Sequence, residues 1–185
     1  GALFDKHSFA RGAFARRPFF DAFVAESLQA AFERFAARTG RHYQSLSRYR
    51  TKDAKLLLLA QGAAVETARA AADNLRKHHK IRTGVLGVHA LRPFPADELR
   101  EACRTASRVA VLDRNYAAGA GGIFWQDTCV AFQGRRDDLV IQNYLTGLCG
   151  NDVTPALIDE IITDLGSRSS AGEPVWIGID TGKEA

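Results

Sequence analysis

The chain has 185 residues, 46% of them hydrophobic and 25% charged, and a formal net charge of +4. That length suits one domain with a full core, with an appended segment, and the composition is ordinary for a soluble globular protein. No apolar run approaches the ~18 to 20 residues that span a bilayer, the densest being Leu56 to Leu59.

Taken in chain order, Gly1 to Pro18 has little periodicity and reads as a connection. Pro18 suits a first helical position, and Phe20, Phe23, Val24, Leu28, Ala31 and Phe35 recur at helical spacing, so a helix is expected over residues 19–38, ended by Gly40. Five phenylalanines between Phe19 and Phe35 are more than a solvated linker needs. That face is expected to be covered by protein, either Leu56 to Leu59 of this chain or a neighbour. From Lys55 the pattern becomes regular: strand Lys55 to Ala60, helix Gly62 to Lys80, strand Thr83 to His89, a helix opened by Pro93 and Pro95 and running to Ala106, and strand Arg108 to Asp113. A glycine-led helix from Gly119 to Phe132, strand Leu139 to Tyr144, a helix capped by Thr154 with Pro155 in its first turn, and strand Val175 to Ile179 complete it. Alternation of continuous apolar strands with helices predicts a three-layer, doubly wound, mostly parallel α/β sheet of about five strands. The expected division is a connecting segment over 1–50 and an α/β domain over 51–185.

The charge is uneven. Residues 1 to 55 carry 11 Lys and Arg against 5 Asp and Glu, and the remainder 14 against 16. A basic leading segment without the aromatic interleaving of a base-stacking surface points to an acidic neighbouring domain or subunit, not to nucleic acid. Cys103, Cys129 and Cys149 are too few and too widely spaced for a disulfide framework or a cluster site; each is expected to be a buried small hydrophobe. Gly1 to Ala13 lacks the apolar centre of a secretory signal, so no membrane and a cytoplasmic location are expected. There is no methionine, which points to an excised segment of a longer chain, with removal of a tag from a natural chain as the alternative.

In a doubly wound sheet the functional edge lies beyond the strand C-termini. Three loops are placed there: His89 to Pro95, Asp113 to Gly122 and Thr146 to Asp152. His89 reads as a hydrogen-bonded structural group, with catalysis as the alternative. The candidate contact or anion-binding residues are Arg92, Asp113, Arg114, Asn115, Gly119, Gly121, Gly122, Gly147, Asn151 and Asp152. Glycines before a helix let backbone N–H groups approach an anion; the competing reading is a sharp turn with close helix–strand packing. The dinucleotide fingerprint fails, because Phe124 stands where its last glycine belongs, and no phosphate-binding Gly-Lys-Ser/Thr follows.

Four segments together resemble 2-oxoacid:ferredoxin (pyruvate:ferredoxin/flavodoxin) oxidoreductases. They are Arg17-Pro18-Phe19-Phe20-Asp21-Ala22-Phe23, Arg92-Pro93-Phe94-Pro95, Val109 to Asn115 with Gly119 and Gly122 beyond, and Gly147-Leu148-Cys149-Gly150-Asn151-Asp152-Val153-Thr154-Pro155. The chain departs from that family at Cys149 to Asn151, where Gly-Gly-Arg is usual, and at Val24 to Leu28, where Arg-Thr-Ser-His-Glu is usual. The resemblance implies a transketolase C-terminal-like domain of an enzyme that decarboxylates a 2-oxoacid, with pyruvate favoured. Such an enzyme uses thiamine diphosphate, magnesium and iron–sulfur clusters, coenzyme A as acyl acceptor and ferredoxin or flavodoxin as electron acceptor. It implies a non-catalytic, subunit-contact role for this piece, inactive alone, with no catalytic residue, cofactor or metal in the chain itself. The partners implied are other domains or subunits of the same enzyme, in a homo-oligomer. The residues alone also leave open a nucleotide- or anion-binding regulatory module and a dimerisation domain of another thiamine enzyme.

Overall fold

The computed structural model describes residues 5–20 and 22–179. The chain divides into two compact units. Residues up to Ser45 with Ala90–Pro95 form one; Leu46–His89 and the residues from Ala96 onward form the other.

The first unit contains α1 (Lys6–Phe20) and α2 (Ala22–Thr39). A helix where a connection was expected is explained at its start. Asp5 accepts from the backbone N–H groups of His7 and Ser8 (2.8 and 3.0 Å) and from the Ser8 hydroxyl, which satisfies donors that a first helical turn leaves open. Pro18 therefore lies inside the last turn of α1 and does not open the following helix, which begins at Ala22; Gly1 to Phe4 and Asp21 lie outside the described residues. α2 ends as expected: Gly40 adopts φ +71° and donates to Ala36 O at 2.8 Å. Tyr43 then folds back with its ring 5.6 Å from Phe35 and 6.4 Å from Phe32. None of the described α1 residues is buried, and Phe9, Phe14, Phe19, Phe20, Phe23 and Phe35 are exposed. Leu57, Leu58 and Leu59 are buried in the core of the other unit.

The second unit is a six-stranded sheet in the order β1-β3-β2-β4-β5-β6. Its strands are β1 (Leu46–Tyr49), β2 (Leu56–Gln61), β3 (Thr83–Val88), β4 (Arg108–Asp113), β5 (Val140–Leu145) and β6 (Val175–Trp176). All pairings are parallel except that of β1, which runs antiparallel to β3. β1 is the sixth strand and starts before the expected boundary at residue 51. It is four residues long with only Leu46 buried, so it carries neither a continuous apolar run nor clear alternation. The helices are α3 (Ala64–Asn74, continued by a wider π-helical turn to His79), α4 (Ala96–Ala102), α5 (Ile123–Phe132) and α6 (Pro155–Ser167). α3 packs against α6, and α4 against α5. The first pair fits small to large: Ala64, Ala68, Ala71 and Ala72 let α3 lie close, while Ile158, Ile161, Ile162 and Leu165 of α6 fill the space above Leu58, Ala110 and Tyr144. Thr154 caps α6, accepting from Leu157 N–H at 3.3 Å.

α4 stops short of the expected Ala106. Past Ala102 the chain closes in tighter turns, with Arg104 N–H on Glu101 O and Ala106 N–H on Cys103 O (3.2 and 3.0 Å), and Arg136 holds this end by donating to Cys103 O, Arg104 O and Ala106 O (3.3, 3.3 and 3.0 Å). β6 ends at Trp176, before the left-handed Gly178 (φ +69°). Cys103 is buried and Cys129 half-buried, but Cys149 is exposed, because it sits in the short 3-10 turn Leu148–Gly150 after β5 and not in a strand or α-helix. No helix among the described residues is long and apolar enough to cross a membrane.

Candidate functional site

The rim beyond β4 and β5 is organised around one buried carboxylate. Asp113 is the last residue of β4 and is 1% exposed. Its Oδ1 accepts from Phe124 N–H at 3.0 Å and from the Asn115 amide at 3.1 Å. Its Oδ2 accepts from Trp125 N–H at 3.0 Å and from the Asn143 amide at 2.9 Å. The two N–H groups just before these are also taken: Gly122 donates to Asn143 Oδ1 at 2.9 Å and Ile123 to Asn115 Oδ1 at 3.1 Å. The first four donors of α5 are thus satisfied by three side chains of the same domain. Burial, the largest influence, raises the Asp113 carboxyl above its ordinary value, while the backbone donors and the two asparagine amides pull it back towards the ionised form.

This arrangement decides between the two readings of the glycine loop. A helix N-terminus attracts an anion because its donors are open; here the anion is the protein's own. Gly122 is required for it, since a Cβ there would stand 2.1 Å from the Asp113 carboxylate carbon. Gly119 and Gly121 take φ +78° and +80°. Ala117 and Gly121 form an isolated bridge, with Ala117 N–H on Gly121 O at 2.8 Å. The loop is a fixed turn, and α5 begins at Ile123, four residues later than expected.

Among the predicted site residues, Asp113, Asn115 and Gly122 come together in this clasp. Arg114 is exposed and donates through Nε to Gly147 O at 3.2 Å, tying the β4 loop to the β5 loop. Gly147 (φ +67°) is buried where a Cβ would meet Val153 at 2.7 Å. Asn151 and Asp152 stand exposed in the turn before α6, and Arg92 is exposed in the other unit, its guanidinium on Leu91 O. His89 is exposed at the end of β3.

Two residues escaped the sequence reading. Gln142 and Asn143 are fully buried inside β5. Asn143 holds both Asp113 and the loop. On its neighbour, Gln142 Oε1 accepts from Gly172 N–H at 2.8 Å and Nε2 donates to Glu173 O at 2.9 Å. Two adjacent amides in an otherwise apolar strand were the available signal, because buried polar groups must find partners. Behind them, the Tyr144 hydroxyl donates to Asp164 at 2.6 Å, and Arg168 holds the same carboxylate through two nitrogens at 2.6 and 3.2 Å.

No grouping of three or more His, Cys, Asp or Glu side chains able to hold a metal occurs among the described residues. Burial pushes the Cys103 thiol up to about 12 and the Cys129 thiol up to about 11, far from the thiolate form that metals bind.

A family profile described as "Pyruvate:ferredoxin oxidoreductase core domain II" matches residues 54–158. Pyruvate synthase subunit PorA of Methanothermobacter thermautotrophicus is 36% identical over 154 residues, 82% of this chain and 38% of that protein. The PorA subunit of Pyrococcus furiosus is 29% identical over 80% of this chain and 38% of that protein. Ketoisovalerate oxidoreductase subunit VorA of the same organism is 34% identical over 67% of this chain and 32% of that protein. The chain therefore spans well under half the length of these curated relatives. A solved structure described as "Split gene transketolase, inactive beta4 tetramer" superimposes with a TM-score of 0.53 at 14% identity, over 68% of this chain and 43% of that one; this likeness is one of fold.

Proposed function

Because this chain belongs to the pyruvate:ferredoxin oxidoreductase core domain II family, we propose that it is a non-catalytic, subunit-contact part of a 2-oxoacid oxidoreductase, with pyruvate as the substrate of the whole enzyme. Thiamine diphosphate, magnesium and the iron–sulfur clusters bind elsewhere in the assembly. Coenzyme A and ferredoxin or flavodoxin serve the complete, cytoplasmic enzyme, which is a homo-oligomer of such units. The observation that carries the non-catalytic role is the Asp113 clasp: the helix terminus that this fold would offer to a phosphate is filled by a buried side chain. The exposed phenylalanines of α1 and α2 support contact with neighbouring domains, since monomers rarely leave an apolar patch of that extent in water.

The test is an assay of this chain alone with pyruvate, thiamine diphosphate, magnesium, coenzyme A and an artificial electron acceptor. No turnover is expected, and turnover above blank would show that the chain holds catalytic parts.

A further inference from the structure

One cavity on the rim is not used by the clasp. It has a volume of about 460 Å³ and lies between the glycine loop and the segment entering β6, walled by Tyr116, Trp125, Trp176, Pro174 and Glu173 with Gly121 at its floor. Tyr116 and Trp176 meet edge to face with ring centroids 4.9 Å apart, and both remain more than 40% exposed. The Trp125 indole nitrogen donates to Ile141 O at 3.2 Å, which fixes the third aromatic ring.

Both walls are anchored in the sheet. Asn143 holds the glycine loop through Gly122, and Gln142 holds Gly172 N–H and Glu173 O from the next position of β5. Gly121 packs without a side chain against Pro174 and Trp125, where a Cβ would come within 3.2 and 3.5 Å of them. The cleft is therefore preformed.

Its chemistry has one sign. No Lys, Arg or His lines it among the described residues, and Glu173 is the single charged residue in its wall. Arg168, which reaches the same wall through Gln142, is committed to Asp164. The helix terminus below contributes no free positive end, because Asp113 fills it. Three electron-rich rings with one acidic residue in the same wall favour a cation, and a flat guanidinium over a compact, strongly hydrated ammonium, since it stacks on rings while donating to an acid.

We propose that this cleft is the receptor for an arginine side chain presented by a neighbouring domain or subunit. The source of that arginine rests on the subunit-contact reading above; the cleft's preference for a guanidinium does not.

The two tryptophans of the chain, Trp125 and Trp176, both line the cleft, so intrinsic fluorescence reads it directly. N-acetylarginine methylamide is titrated into the chain at low ionic strength, in parallel with N-acetylcitrulline methylamide, which has the same shape without the charge. A saturable fluorescence change is expected with the arginine probe, with affinity roughly fivefold or more above that of the citrulline probe. In Glu173→Gln the two affinities should converge, and in Tyr116→Ala both should fall while circular dichroism is unchanged. Equal affinities for the two probes, an undiminished preference in Glu173→Gln, or no saturable change with arginine would each overturn the assignment. So would saturable binding of inorganic phosphate to the same site. None of these results bears on turnover by the chain alone, so the cleft and the non-catalytic reading fail separately.

Discussion

α6 and α1 are similar in length and opposite in what holds them. α6 buries Ile158, Ile161, Ile162 and Leu165 against α3 and the sheet, with a capping threonine at its start. α1 has an equally good cap in Asp5 but buries no described residue. Capping contributes on the order of 1 kcal/mol, whereas burying four large aliphatic side chains contributes roughly 1.5–3 kcal/mol each. A cap thus sets where a helix begins; a counterface decides whether it persists. The difference teaches that the α/β unit carries its own stability, while the leading helices need a surface other than the one they show here.

The sharpest way to break that comparison is to open the α/β unit at its polar centre. Asp113→Ala should cost more than any other single change proposed here, because each buried donor left without a partner costs about 1–3 kcal/mol and three of the four donors to Asp113 belong to Phe124, Trp125 and Asn143. Urea melting with an unchanged midpoint would show that the clasp is not structural. Gly122→Val should follow, at roughly 1–3 kcal/mol from overpacking, since its Cβ would collide with Asp113.

A smaller effect is expected at Asp164. Burial, the largest influence, raises its carboxyl, but Arg168 and Tyr144 together outweigh burial and hold it below its ordinary value. A depressed folded-state value stabilises above the unfolded-state value and is lost as pH falls through the folded-state value. Asp164→Asn should therefore lower stability near pH 6 by roughly 1 kcal/mol or less, and the gap to the natural chain should close as pH falls from the ordinary carboxylate range down through the depressed folded-state value. A gap that widens in acid would reverse the sign and refute the pairing.

The smallest effect tests the leading helices. Phe20→Asp with Phe35→Asp should move the melting of the α/β unit by less than about 0.5 kcal/mol, as for exposed sites generally. The same pair should shift sedimentation of the isolated chain towards monomer, if its copies hide those rings against each other. A large loss of stability would mean that the α/β unit depends on these rings after all.

Much of the α/β unit was legible. Arg108–Asp113 came out with its observed boundaries, and the isoleucine stripe of α6 was read correctly, because buried parallel strands and amphipathic helices write their burial into their periodicity. β1 was missed because an edge strand with one buried residue has almost no period to read. α1 was missed because its phenylalanines, having no buried face, show no helical stripe. At the candidate site, Asp113, Asn115 and Gly122 were found, but their joint role was not. That role depends on Asn143, which is 30 residues further along the chain and adjacent only through the β4–β5 pairing.

The exposed turn after β5 has a practical consequence. Cys149 stands in solvent with a left-handed backbone (φ +53°), while the other two thiols are wholly or partly buried and held in their protonated forms by desolvation. A maleimide dye at neutral pH should therefore react at a single address without any engineered cysteine. The natural chain carries its own attachment point for an optical or spin probe.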